Sequence, residues 1–309
     1  MKTFRWARTF IALAALGMGL LADGGAAWAA SCCSGTSSSG TFSLPKWEKA
    51  SFGLDLRTRA DIDMRGGEGA RMGLSTWSIE ESSLILGGGF RLHPDLQLGI
   101  AIPLVERRVR IGEDKARAGG LGDASIQIRY EMVDESTCYL NPLKNFSRAM
   151  LVPTFHWLLS ATLPTGRALA VEHDPLGASI TGRGDLVADL GFELTKILGR
   201  LGGYLQTRGG IDIPIIEEEG DVPGMHVLVG GGLLVFFRYR GFVSLNVTHS
   251  NTRRGQEDGH HQSSTDAAVG LSTRIRRFRV RLNGAALGVV QGRAVPVGYS
   301  MDVSLVRMF

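Results

Sequence analysis

The chain reads as an all-β protein, a transmembrane antiparallel up-and-down β-barrel of about 12 strands. Three observations predict this. About twelve segments of roughly eight to twelve residues alternate apolar and polar side chains, the period of a strand with one greasy face. The connections between them alternate in length, short then long. After residue 30, no stretch reaches about eighteen consecutive apolar residues, so no segment predicts a membrane-crossing helix.

The elements follow in order. Lys2, Arg5 and Arg8 precede an apolar run from Phe10 to Leu21 that is too short to span a bilayer. Ala27-Trp28-Ala29-Ala30 then offers small residues for cleavage. Residues 1–30 are expected to be a signal peptide cleaved on export, residues 31–48 a Ser/Gly-rich periplasmic linker, and residues 49–309 the barrel. Phe52, Leu54 and Leu56 open the first strand; Leu84, Leu86, Phe90 and Leu92 mark the second. Leu96 to Leu104, Ala124 to Tyr130, Leu151 to Leu163 and Leu186 to Leu194 give the third to sixth, with Pro153 as an entry bend within the fifth. Leu205 to Ile213, Val227 to Phe237 and Val243 to Val247 give the seventh to ninth. Ala267 to Ile275, Phe278 to Leu282 and Val297 to Phe309 complete the set. Gly87-Gly88-Gly89 and Gly230-Gly231-Gly232 fall inside strands with no helix following, so they are not phosphate loops.

His93-Pro94-Asp95, Lys196 to Arg200, Arg238 to Arg240 and Arg276-Arg277 are the short connections. Arg65 to Gly73, Glu106 to Ala118, Thr165 to Arg183, Glu217 to Gly224 and Ser250 to Ser264 are long and polar. Short periplasmic turns and longer outer loops are the habit of outer-membrane barrels. Asp134 to Arg148 is the exception, a long connection on the periplasmic side. Cys32, Cys33 and Cys138 would share that oxidising side. Two readings stand: a disulfide from Cys138 to Cys32 or Cys33, or cysteines that are unpaired or, at Cys32, lipidated.

Composition narrows function. Of 34 basic and 30 acidic residues, Lys2, Arg5, Arg8 and Asp23 lie in the signal, which leaves 31 and 29. Near-balance without a basic stripe gives nucleic-acid binding no electrostatic support. The period-two registers place Arg57, Arg91, Asp123, Arg129, Glu131, Asp189, Glu193, Arg208, Asp212, Asp266, Arg274, Arg279, Arg281 and Asp302 on the polar face, which lines the lumen. Mixed signs point to mutual pairing rather than a one-signed selectivity ring. A solute path along this lining and a charge network holding a closed barrel in shape are both compatible with it. His249-Ser250 at the end of the ninth strand is a candidate for lipid hydrolysis at the outer rim, but adjacent strand residues point to opposite faces. No cofactor and no metal are called for.

The last strand alternates Val297, Tyr299, Met301, Val303, Leu305 and Phe309 against Gly298, Ser300, Asp302 and Ser304. It resembles the C-terminal signature of outer-membrane barrels, with Tyr299 and Phe309 as an assembly signal, except that Arg307 stands where a hydrophobe is usual. The resemblance implies residence in the outer membrane of a Gram-negative bacterium. Partners would then be membrane lipid, lipopolysaccharide and the barrel-assembly machinery. Three further segments, Gly120-Leu121-Gly122-Asp123, Leu163-Pro164-Thr165-Gly166 and Gly182-Arg183-Gly184-Asp185 leading into Asp189-Leu190-Gly191, occur in an order that resembles the outer-membrane transporters of the MetA-pathway of phenol degradation family. That resemblance implies a barrel that passes small aromatic or otherwise hydrophobic compounds, and brings no catalytic residues.

Overall fold

A computed structural model describes residues 44, 48–65, 77–133, 152–167, 178–182, 184–198, 200–215, 223–237, 241–253, 261–291 and 295–309. Residues 1–30, expected as a signal peptide, most of the expected linker 31–48 and all three cysteines lie outside these residues. The strands are β1 (Ala50–Arg65), β2 (Trp77–His93), β3 (Leu96–Ile111), β4 (Asp114–Leu121), β5 (Ala124–Val133), β6 (Thr154–Leu163) and β7 (Asp185–Leu198). They continue as β8 (Leu201–Pro214), β9 (Gly224–Phe237), β10 (Gly241–Arg253), β11 (His261–Ile275), β12 (Phe278–Gln291) and β13 (Val295–Met308).

Apart from β4 and β5, strands that follow one another in sequence pair antiparallel, and β1 pairs with β13 from Ser51↔Met308 to Arg65↔Val295. The sheet thereby closes on itself. In lipid this is the one way a sheet can satisfy every backbone polar group. β4 and β5 share one position in the wall: β3 pairs with β4 along Leu104–Ile111 and with β5 along Leu96–Ala101. The barrel therefore has twelve staves, the fourth broken at Gly122-Asp123.

Alternation sorts the side chains. Phe52, Leu54, Leu56, Leu84, Leu98 and Ile100 point outward, as do Leu159, Leu190, Leu205, Val227, Leu245, Val269 and Leu305. The outward aromatics Phe52, Phe90, Tyr130, Trp157, Phe278 and Phe309 gather at the end where Ala50 and Phe309 meet, called here the terminal end. Aromatic girdles of this kind sit at membrane interfaces. Arg307 also points outward and stacks on the Phe309 ring, 4.8 Å from its centroid, so its apolar stem and aromatic contact let it stand on the greasy face.

One expected loop is a strand pair. Glu106 to Ala118, read from its charges as a connection, continues β3, turns at Gly112-Glu113 and returns as β4. Val105 and Val109 keep the inward period and are buried, while outward Glu106 accepts hydrogen bonds from Arg108 and Arg117 at 2.9 Å. Gly112 supplies the positive φ of 65° at the turn. Those hydrogen bonds, Arg117 first and Arg108 second, hold the Glu106 carboxyl below its ordinary range. The ends of the Ser250 to Ser264 connection are likewise strand, since β10 runs to Arg253 and β11 starts at His261.

Candidate functional site

The inward face is where charge collects, and two walls of the barrel carry it differently. On the wall made by β5 to β8, Arg129, Glu131, His156, Glu193 and Arg208 are buried, Glu193 completely. Arg129 Nη2 donates to Glu193 Oε1 at 2.7 Å and lies 3.1 Å from His156 Nδ1. Glu131 Oε2 is 3.7 Å from His156 Nε2, and Thr195 Oγ1 donates to Glu193 Oε1 at 3.2 Å. Gly191 makes room for this layer: a Cβ there would strike the Thr207 carbonyl and the Arg208 stem.

One level further from the terminal end, His226 stands between two carboxylates. Its Nε2 bonds Asp189 Oδ1, and its Nδ1 lies 3.1 Å from Asp212 Oδ1. Ser160 Oγ donates to Asp189 Oδ2 at 3.0 Å. Gly210 leaves the space, since a Cβ there would meet both Asp189 and His226.

The opposite wall, β11, β12, β13 and β1, is more open. Arg57 Nε donates to Asp302 Oδ1 at 3.1 Å and its Nη2 lies 4.0 Å from Asp55, yet the Arg57 side chain stays 40% exposed. Asn283 Nδ2 donates to Asp302 Oδ2 at 3.2 Å. Arg59 bonds Asp61 at 2.8 Å. Arg274, Arg279 and Arg281 fall on the same inward face of β11 and β12, and Arg274 bonds Glu48 Oε1 at 2.7 Å. Asp266 lies on the inward face of β11, and Arg91 on that of β2, where it holds the carbonyls of Glu48 and Pro94.

The terminal end is filled. Met308, Val306, Leu234, Phe242 and Ile197 are inward and buried, and Leu44, from before the first strand, is buried with its N–H donating to Gln97 Oε1 at 3.1 Å. At the far end the three glycine-rich motifs meet. Thr165 Oγ1 donates to the Gly122 carbonyl at 2.7 Å, and Gly166 N–H donates to Asp123 Oδ1 at 2.9 Å. Thr181 Oγ1 donates to the Leu121 carbonyl at 2.6 Å. Gly182 is packed so closely that a Cβ would strike Asp123. Asp123 thus stands at the break in the fourth stave, bonded to the connection after β6, and Ala178 and Ser179 of that connection are buried.

His249 and Ser250 take separate partners. His249 Nδ1 is 3.0 Å from Thr265 Oγ1, and Ser250 Oγ is 2.7 Å from Ser264 Oγ. No hydrogen bond joins them among the described residues. Tyr299 and Phe309 point outward, and Phe309 is tied by its backbone to Lys49 and Ala50. In the sequence His156 falls on the polar face with no partner evident, and His226, Tyr204 and Asn246 belong to no motif. Tyr204 Oη donates to Asn246 Oδ1 at 2.9 Å in a gap left by Gly232. The signal for all four was their shared inward parity.

No family model matches the chain, and no curated protein matches it. The resemblance to the MetA-pathway family rests on the three motifs alone. Among solved structures, the chain is similar to the COG4313 outer membrane channel from Pseudomonas putida F1, with TM-score 0.65 and 15% identity over 89% of this chain and all of that one. It also matches the translocator domain of autotransporter NalP from Neisseria meningitidis, with TM-score 0.49 and 11% identity over 99% of this chain and 96% of that one. A third match is the KdgM porin in complex with disordered oligogalacturonate, with TM-score 0.44 and 8% identity over 83% of this chain and 99% of that one. The first of these likenesses agrees with the closed sheet and its apolar exterior: the chain has the fold of a twelve-stranded outer-membrane β-barrel.

Proposed function

We propose that this chain is an outer-membrane channel for the passive passage of small solutes, aromatic and other hydrophobic compounds among them, and not an enzyme. The observation that carries the reading is a closed barrel with an apolar exterior and an inward face lined by Arg and carboxylate side chains along much of its length. The similar structure from Pseudomonas putida F1 is described as an outer membrane channel, which agrees with it. Residues 1–30 would be removed on export to the outer membrane of a Gram-negative bacterium, and residues 49–309 would insert there. Tyr299 and Phe309 would engage the barrel-assembly machinery, and lipid and lipopolysaccharide would surround the apolar face. No cofactor is required, because solutes move down a gradient.

A second reading, a closed structural or receptor barrel, is favoured by the filled terminal end, where Leu44 and Met308 are buried. Single-channel conductance of the refolded protein in a planar bilayer separates the two. Discrete current steps support the channel. Silence from protein shown to be folded and inserted supports the closed barrel.

A further inference from the structure

Arg274 of β11 and Arg279 of β12 are directly opposite each other, both on the inward face, with Arg281 two residues further along β12. Like charges directly opposed on one face of a sheet repel, so this wall needs a negative partner. Asp55 and Asp302 serve Arg57 at 4.0 and 3.1 Å and lie within electrostatic reach of Arg281. For Arg274 and Arg279 the carboxylate at hand among the described residues is that of Glu48, 2.7 Å from Arg274. Arg279 has no hydrogen-bond or ion-pair partner among the described residues. Glu48 does not belong to the wall. It precedes β1 and is positioned by its backbone, whose carbonyl accepts from Arg91 Nε at 3.2 Å. The Arg274 side chain is still 35% exposed.

We propose that Arg274 and Arg279 form a binding site for the carboxylate of a small organic anion, with Glu48 as its built-in occupant. Guanidinium forks match carboxylates two bonds at a time, and with the Glu48 carboxylate held by Arg274 the Arg279 fork is left for a second anion. A solute carboxylate therefore competes with Glu48 for Arg274 and pairs with Arg279. Its role in passage rests on the channel reading; its existence as a binding site does not.

Isothermal titration of benzoate into the refolded protein in detergent tests the site, with benzyl alcohol as the neutral control. Benzoate should bind and benzyl alcohol should not. Glu48→Gln should tighten benzoate about tenfold, near 1.4 kcal/mol, and Arg279→Gln should weaken it by a similar factor. Arg279→Lys, which keeps the charge without the fork, should fall between. Benzoate binding that is absent from both wild type and Glu48→Gln, or that is equal in wild type and in folded Arg279→Gln and Arg279→Lys, overturns the proposal. Conductance separates the two readings: binding without current in any variant keeps the site and rejects the channel, while current with no benzoate binding keeps the channel and rejects the site.

Discussion

The β5–β8 wall and the β11–β1 wall use the same chemistry, arginine against carboxylate, and differ in water. Arg129 and Glu193 are sealed, with side chains 7% and 1% exposed, whereas Arg57 keeps 40% of its side chain exposed. A sealed ion pair loses its hydration and depends wholly on its partner, so removing one member strands a charge. An accessible pair gains little from pairing and leaves its charge open to ions or solutes. The first wall is suited to holding shape and the second to meeting a solute.

That contrast can be broken in descending order of effect. Arg129→Met should be the most damaging change, destabilising the barrel by about 3–5 kcal/mol by leaving Glu193 unpaired. Urea unfolding in detergent measures it, and adding Glu193→Leu should restore most of the loss. Gly191→Ala should cost about 1–3 kcal/mol by the same assay, because the new methyl group meets the Thr207 carbonyl and the Arg208 stem. Arg57→Ala should move stability by no more than about 1 kcal/mol while changing ion selectivity, read as a shifted reversal potential across a salt gradient. Equal destabilisation by Arg57→Ala and Arg129→Met would erase the distinction between the walls. The smallest effect belongs to the exposed β3–β4 hairpin. Its Glu106 carboxyl is held low, so its contribution is present above the ordinary carboxylate pKa and is lost as pH falls through the lowered value. Amide exchange in β4 should quicken as pH drops through that range, beyond the intrinsic change, and Glu106→Gln should remove the difference.

Much of this architecture could be read from period two alone. Alternation survives any composition that keeps one face apolar, so twelve staves and the inward parity of Arg129 and Glu193 were visible in the sequence. Charge misled where it replaced apolarity on the outward face: Glu106, Arg108 and Arg110 leave the membrane but not the sheet. The partners could not be read. Which carboxylate meets Arg129 depends on strand stagger, which a single sequence does not contain. For the same reason the sequence does not show the meeting of Leu121, Gly122 and Asp123 with Thr165, Gly166 and Thr181, up to 60 residues away.

The seam between β1 and β13 sets a condition on how this molecule comes into being. Arg57 and Asp302, bonded across it, are 245 positions apart. Until β13 is delivered, the growing sheet carries two bare edges, β1 at one side and the newest strand at the other. Bare edges recruit other chains, and a contact this distant in sequence is slow to form. The open sheet is therefore at its most exposed until β13 pairs with β1, and closure, rather than any single hairpin, commits the chain to the native state.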